Sequence, residues 1–385
     1  MIRDPETFNV LLDTIERFVR ERLIPREAEV AETDAIPADV LDEMRRMGLF
    51  GLTIPEQYGG LGLTMEEEVR VAFAWCKASP AFRSIAGTNN GIGSVGIVLD
   101  GTEAQKNEYL PRLAAGELIG AFALTEPGSG SDAGSLTTSA RRDGDHYVIN
   151  GGKRYITNAP QAGIFTVMAR TDPKTKDASG VSAFIVERDT PGLSVGKPDR
   201  KMGQRGAQTA DVIFENVRVP AANIIGGVEG IGFKTAMKVL DKARLHIAAV
   251  CVGAATRILD EALSYASERR QFDKAIGEFQ LVQAMLADSQ TELYAAKSMT
   301  LDAANKRDGG ESITMEAACC KLYASEMVGR VADRAVQIHG GAGYMQEYAV
   351  ERFYRDVRLF RLYEGTSQIQ QLVIARAMLR AKRGR

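Results

Sequence analysis

His146-Tyr147-Val148-Ile149-Asn150-Gly151-Gly152-Lys153-Arg154-Tyr155-Ile156-Thr157-Asn158 is where the chain changes character. β-Branched and aromatic residues dominate on both sides of the glycine pair. The stretch therefore reads as two short strands, 146–150 and 153–157, parted by a turn. Residues 164–169, 182–187 and 211–219 repeat that composition, each bounded by Gly, Asp, Asn or Pro. Strands at this spacing predict a small antiparallel β domain and not a series of βαβ units.

Outward from this block the pattern is helical on both sides. Toward the amino terminus Phe8, Leu11, Leu12, Ile15, Phe18, Val19 and Leu23 recur at three and four, and Pro25 ends the run. Residues 37–49, 66–78 and 103–113 read as further helices, with a glycine-rich turn at Tyr58-Gly59-Gly60-Leu61-Gly62. Toward the carboxy terminus long helices are predicted over 233–269, 276–306 and 312–339, and a last one over 368–381. The basic tail Lys382, Arg383 and Arg385 reads as a frayed end. The expected fold is α+β: an N-terminal helical domain over 1–118, a middle antiparallel β domain over 119–230, and a C-terminal four-helix bundle over 231–385. A length of 385 residues suits two or three domains at ~150 residues each.

Composition narrows the function. Forty-eight Lys and Arg against fifty Asp and Glu give a net charge of −2, which argues against a nucleic-acid binder held by bulk positive charge. The apolar run from Ile247 to Ala255 is about half the ~18 residues that span a bilayer, so no membrane insertion is expected. Asp4 and Glu6 open an amphipathic stretch unlike a secretory signal. Cys76 and Cys251 stand alone, Cys319 and Cys320 are adjacent, and the three histidines are scattered. Buried, reduced thiols and a cytoplasmic location are expected, with no metal site.

Three segments combine flexibility with chemistry. Leu124-Thr125-Glu126-Pro127-Gly128-Ser129-Gly130-Ser131-Asp132 offers small residues, hydroxyls and accessible N–H groups to a phosphate or a planar ring. Its glycines are spaced wrongly for a dinucleotide fingerprint, and a plain turn would show the same composition. Gln337-Ile338-His339-Gly340-Gly341 ends a helix in glycines, as many helix caps do. In Tyr363-Glu364-Gly365-Thr366-Ser367-Gln368-Ile369-Gln370, Ser367 and Gln370 have capping-box spacing. Glu364 there would favour a helix N-terminus, or act as a general base if placed in a closed apolar cleft.

These segments, with Lys153–Asn158, Met202-Gly203-Gln204-Arg205-Gly206 and Arg269-Arg270-Gln271-Phe272, stand in an order that resembles the acyl-CoA dehydrogenases over essentially the whole chain. The resemblance implies FAD, with Phe122, Leu124, Thr125 and Ser131 lining the flavin and Tyr155 and Thr157 stacking on and bonding its ring. Tyr155 stands where relatives often carry Trp. Thr366 and Gln368 are implied to bind the cofactor too. Arg269, Phe272, Gln280, Gln337, Gly340 and Gly341 resemble segments that reach the FAD of a neighbouring subunit, which implies a homotetramer. Asp273 replaces the glycine usual after that phenylalanine.

Glu364 matches the catalytic base, which removes the α-proton of an acyl-CoA while the β-hydrogen leaves as hydride, giving a trans-2-enoyl-CoA. The alternative helix position used by some relatives is Ala243 here, which cannot act. Ser131, Asp241 and Arg244 match positions that contact CoA, although Asp241 and Arg244 at i,i+3 would also suit an exposed ion pair. Electron-transfer flavoprotein is the implied electron partner, and fatty-acid or amino-acid catabolism the implied setting. An acyl-CoA oxidase and a non-catalytic CoA-binding protein of the same fold are the alternatives. In Phe82-Arg83-Ser84, Arg83 resembles the arginine by which the glutaryl-CoA branch binds a distal carboxylate. An unpaired buried guanidinium implies an anionic or polar acyl terminus. The residues after Glu364 read Gly-Thr-Ser-Gln, not the His-containing version of that branch.

Overall fold

Seven strands form the central sheet: β1 (Gly120–Ala123), β2 (Ser139–Asp143), β3 (His146–Thr157), β4 (Ile164–Arg170), β5 (Val181–Glu187), β6 (Leu193–Val195) and β7 (Thr209–Pro220). They belong to a computed structural model that describes residues 1–175 and 177–383. The two strands predicted over 146–157 are one. The register of β3 against β7 shifts between Ile149 and Gly151 and again between Lys153 and Ile156. Bulges bend the strand where composition alone suggested a turn. Gly151 takes φ 148°, and a Cβ there would meet the Thr138 hydroxyl at 2.5 Å.

The sheet is mixed, where a purely antiparallel one was expected. β4 pairs antiparallel with β5 but parallel with β1, and one parallel bridge, Ser139 to Arg170, joins β4 to β2. β1 escaped the sequence pattern because Gly120-Ala121-Phe122-Ala123 is short and poor in strand formers. Tyr147, Ile149, Phe165, Phe184 and Val212 fill the core of this layer, with Tyr147 edge-on to Phe184 at 5.0 Å.

Seven helices precede the sheet: α1 (Pro5–Phe18), α2 (Glu27–Thr33), α3 (Ala38–Arg46), α4 (Met65–Trp75), α5 (Pro80–Asn90), α6 (Val95–Asp100) and α7 (Glu103–Ala114). Asp4 caps α1, and Thr64–Glu67 and Thr102–Gln105 form capping boxes on α4 and α7. Pro25 does not stop the first run. The chain passes through one π turn and one 3₁₀ turn into α2, since proline is tolerated in a first turn. α5 has a Ser79 cap and Pro80 at its start, but its apolar stripe is short, Ala81, Phe82, Ile85 and Ala86, and gives way to Gly87, Thr88, Asn89 and Asn90. Nearly all of it is buried, polar end included, so packing carries the helix past its short stripe.

Five helices follow: α8 (Gly232–Glu268), α9 (Gln280–Asp308), α10 (Thr314–His339), α11 (Ala349–Val357) and α12 (Ser367–Arg383). Lys382 and Arg383, expected at a frayed end, continue α12 as exposed residues; Arg385 lies outside the described residues. α8, at 37 residues, is roughly 55 Å long. Its Ala, Cys and Gly face lets α4 close in, so that a Cβ at Gly253 would lie 2.9 Å from the Ala72 carbonyl and from Cys76. Met65, Val69, Ala72 and Cys76 thereby join the bundle core. Cys76, Cys251 and Cys320 are buried and Cys319 is half-buried, all as free thiols. Among the described residues no helix is long and apolar enough to cross a membrane.

Buried polar pairs tie the layers together. Lys153, fully buried, donates to Glu126 Oε1 at 2.7 Å and to the Leu124 carbonyl at 3.1 Å. Burial opposes the charge on Glu126, but Lys153 outweighs it and holds the carboxyl down to about 2, while burial draws Lys153 down to about 8. Both groups are charged at neutral pH. Lys153→Met is expected to strand the Glu126 charge and destabilise the fold by about 3–5 kcal/mol, whereas Lys153→Met with Glu126→Leu costs less than Lys153→Met alone. Urea unfolding midpoints of the three proteins check this.

Candidate active site

A cleft of about 710 Å³ opens between the sheet and the helices α8 and α12. Phe122 and Leu124 at the end of β1, Thr125 and Ser131 in the loop behind it, and Tyr155 and Thr157 on β3 line one wall. Phe233, Met237, Leu240 and Arg244 on α8, with Ile369, Leu372, Val373 and Arg376 on α12, line the other. Tyr155 has φ 58° and is 59% exposed, with the Arg154 guanidinium 4.9 Å from its ring centre. Among the described residues the hydroxyls of Thr125, Ser131 and Thr157 bond to nothing in the protein, although they face the cleft. The Glu126–Lys153 pair fixes the first two lining segments to each other from behind.

Glu364 stands where this cleft meets a smaller cavity of about 40 Å³, and it lines both. Its backbone is left-handed at φ 55°, followed by Gly365 at 86°. A non-glycine residue there costs on the order of 1–3 kcal/mol and persists where its surroundings enforce it. Gln370 Nε2 donates to the carbonyls of Glu364 and Gly365, each at 3.0 Å, and Lys321 Nζ donates to that of Gly365 at 2.6 Å. The expected Ser367–Gln370 capping box is absent. Thr366 caps α12 through the Ile369 N–H, and Ser367 donates to Glu326 at 2.6 Å. Gln370 serves the turn because a left-handed residue aims its carbonyl back at the helix.

The turn takes one carboxylate oxygen out of water. Glu364 Oε2 is buried with no hydrogen-bond partner among the described residues. Burial pushes its pKa up, and Arg83, Arg244 and Lys321 only partly offset this.

The small cavity is polar. Arg83 on α5 donates from Nε to His246 Nε2 at 2.8 Å, and His246 Nδ1 lies 2.8 Å from Glu68 Oε1. Lys242 Nζ stands 3.1 Å from Glu68 Oε2. Burial, aided by Arg83, lowers His246 to about 4, so the ring is neutral and its Nδ1 carries the proton toward Glu68. Lys242 and His246 overcome the burial of Glu68 and hold it down to about 2. No carboxylate lies within 4 Å of the Arg83 guanidinium among the described residues. A Cβ at Gly87 would fall 2.6 Å from its Cζ, so the missing side chain makes its room.

The remaining candidates divide. Arg244 is buried against Asp241 at 2.6 Å, and Asp241 also accepts from Thr314 at 2.9 Å, so the pair is not an exposed one. Asp241 stands behind Arg244 and does not line the cleft. Thr366 is used as a cap, and Gln368 is exposed on α12. Arg269, Phe272, Gln280, Gln337, Gly340 and Gly341 are outside the cleft, all solvent-exposed, Phe272 at 89%. Stacking of Tyr265 on His339 at 4.2 Å brings their two segments together. Phe272 and Asp273 both take positive φ in a two-residue hairpin, and Asp tolerates the conformation that glycine would favour. Glu68, Lys242 and His246 were not foreseen, nor was the apolar cleft face of α12. The 3,4 spacing of Ile369, Leu372 and Val373 signals the latter, but the three cavity residues have no local signature.

Family models match nearly the whole chain: acyl-CoA dehydrogenase N-terminal domain over residues 5–117, middle domain over 121–217 and C-terminal domain over 230–379. The chain belongs to the acyl-CoA dehydrogenase family and has its N-terminal helical, middle β and C-terminal helical fold. It is 44% identical over 359 residues to the caffeyl-CoA reductase–Etf complex subunit CarC of Acetobacterium woodii, covering 91% of this chain and 92% of that protein. The butyryl-CoA dehydrogenase of Megasphaera elsdenii superposes with a TM-score of 0.94 at 35% identity, over 98% of this chain and 100% of that one. A glutaryl-CoA dehydrogenase solved with glutaryl-CoA superposes with a TM-score of 0.91 at 33% identity, over 98% and 96%.

A carboxyl whose folded-state pKa lies above its unfolded value weakens the fold as pH rises between the two. Glu364→Gln, which mimics the protonated acid, is therefore expected to unfold at a higher temperature than the parent at neutral pH. The gain should vanish below the ordinary carboxyl value of 4.5. Thermal unfolding of both proteins across that range tests the burial of Glu364.

Proposed function

We propose that the chain is an FAD-dependent dehydrogenase of short acyl-CoA thioesters with Glu364 as the base. The observation that carries this is the carboxylate itself, with Oε2 buried and unpartnered among the described residues, fixed by a left-handed turn where two cavities meet. A desolvated carboxylate is a stronger base than a hydrated one, and a fixed one needs little reorganisation to reach a carbon-bound proton.

The larger cleft suits the cofactor. Free hydroxyls at Thr125, Ser131 and Thr157, an exposed aromatic at Tyr155 and the apolar Phe122 and Leu124 fit a planar ring with polar edges. Bound FAD would accept the β-hydrogen of the thioester with its electron pair and later release both electrons to a redox partner. Glu364 takes the α-proton, so that C–H bonds at Cα and Cβ break and the trans-2,3 double bond forms. Arg244 and Ser131 line the same cleft and are assigned to the CoA end, and Asp241 holds Arg244 in place. The clustered Arg269, Phe272, Gln280, Gln337, Gly340 and Gly341 are assigned to the FAD of a second subunit in a homotetramer. Electron-transfer flavoprotein is proposed as the partner, supported by the Etf complex in the name of the A. woodii relative.

That relative's name also favours a second reading, reduction of an enoyl-CoA with Glu364 returning the proton. The residues serve both directions, and the redox partner chooses between them. Glu364→Gln is expected to keep FAD and acyl-CoA binding while losing most turnover, since an amide takes no proton near neutral pH. Turnover within roughly tenfold of the parent would reject Glu364 as the base.

Arg83 supports the assignment of substrate class. Its guanidinium faces a small cavity, and among the described residues no carboxylate lies within 4 Å of it, so a short acyl chain ending in an anion is proposed. The parent is expected to prefer glutaryl-CoA to butyryl-CoA by kcat/KM, and Arg83→Ala to lower that ratio roughly tenfold to a hundredfold. A parent that favours butyryl-CoA, with the ratio unchanged in the variant, would assign a plain aliphatic substrate.

A further inference from the structure

Lys321 is among the largest fully buried side chains of the protein, and the mechanism above makes no use of it. It lies on α10, and its single hydrogen bond among the described residues goes to the Gly365 carbonyl at 2.6 Å. Among the described residues no carboxylate lies within 4 Å of it. A buried ammonium with one carbonyl acceptor is costly, and a methionine of similar length would fill the space without that cost. What the bond does hold is the turn after Glu364, where two successive residues have positive φ.

We propose that Lys321 is a positioning residue for Glu364: its ammonium clamps the Gly365 carbonyl, fixes the left-handed turn that presents the carboxylate, and supplies positive charge from α10. The proposal rests on Glu364 being the base. Three cations face Glu364, and each comes from a different helix: Arg83 from α5, Arg244 from α8 and Lys321 from α10. Arg83 is bonded to His246, and Arg244 to Asp241. Lys321 has no such attachment and is the cation bonded to the turn itself. The groups around it are Cys251, Glu364, Arg244 and Glu326, and Glu326 is engaged by Ser367 and Arg361. Burial lowers Lys321 to about 8, so it keeps its charge at neutral pH and draws the Glu364 pKa down against desolvation. Gln370 grips the same carbonyl from α12 without charge. The turn is thus held from two sides, and only the Lys321 side brings charge.

The test uses the flavin-loaded enzyme with Lys321→Gln, Lys321→Met and Gln370→Leu. The carboxylic-acid C=O band of Glu364, assigned by infrared difference against Glu364→Gln, is titrated in each. The pH dependence of flavin bleaching by butyryl-CoA is followed in parallel. Both lysine variants should move the Glu364 midpoint, and the rising limb of the rate, upward by about half to one pH unit. Gln370→Leu should slow bleaching with the midpoint in place. Lys321→Gln keeps a donor for Gly365 and should hold its high-pH rate, while Lys321→Met should lose roughly tenfold. An unmoved midpoint in Lys321→Gln with full flavin overturns the proposal, and this variant decides even if Lys321→Met does not fold. If Glu364→Gln remains active, the base assignment fails instead, and the infrared midpoint still reports on Lys321.

Discussion

Holding a carboxylate with one oxygen buried and unpartnered, on a backbone conformation that its residue type disfavours, is the constraint around which the molecule is built. Desolvation of Glu364 and its positive φ both cost free energy, and neither would survive on a free loop. The turn is held by Lys321 from α10 and Gln370 from α12, and the carboxylate is walled by α5, α8 and the end of β3. The bundle provides the stiffness for this. Its small-residue packing leaves α8 and α10 little freedom to give way.

The joints between layers are polar, and they converge on the same region. Asn158, just past β3, donates to the Ser84 and Ile85 carbonyls and to Thr88, fastening α5 to the sheet. Buried Glu27 accepts from the Ser79 N–H at 2.7 Å and from Arg352 at 2.5 Å, linking α2 and the start of α5 to α11. Gln204 donates to Asp356 through both its backbone and its side chain, docking the loop before β7 on α11. Hydrogen bonds of this kind demand geometry that apolar contacts do not, so they fix the place of α5 and hence of Arg83. The two cavities differ accordingly. Much of the larger one is apolar with free hydroxyls at its edge, whereas the inner one is ringed by charge.

Local signals carried much of this architecture. The 3,4 spacings on either side and the shift to β-branched residues after 146 reveal the order of helices, sheet and bundle. The motif at 363–370, set in its order with the others, singles out Glu364. Where expectation failed, the cause was interaction across distance. Gly151 bends a strand because Thr138 lies against it. β1 is a strand because β4 pairs with it, and α5 is a helix because everything around it is packed. Ser367 gives up its capping role because Glu326 is within reach.

The sequence by itself determined most of the long elements and their order, and it pointed to Glu364 by a short motif, because periodicity, composition and motifs are written within a few turns of chain. Tertiary structure alone decided what surrounds that carboxylate. Glu68, Arg83, His246 and Lys321 come from four helices, and no spacing rule relates them. Only packing could set a neutral imidazole between an arginine and a glutamate, or an ammonium against the Gly365 carbonyl. Burial and charge at a site depend on neighbours in space, and a periodic pattern shows which face of an element is apolar without showing what that face will meet.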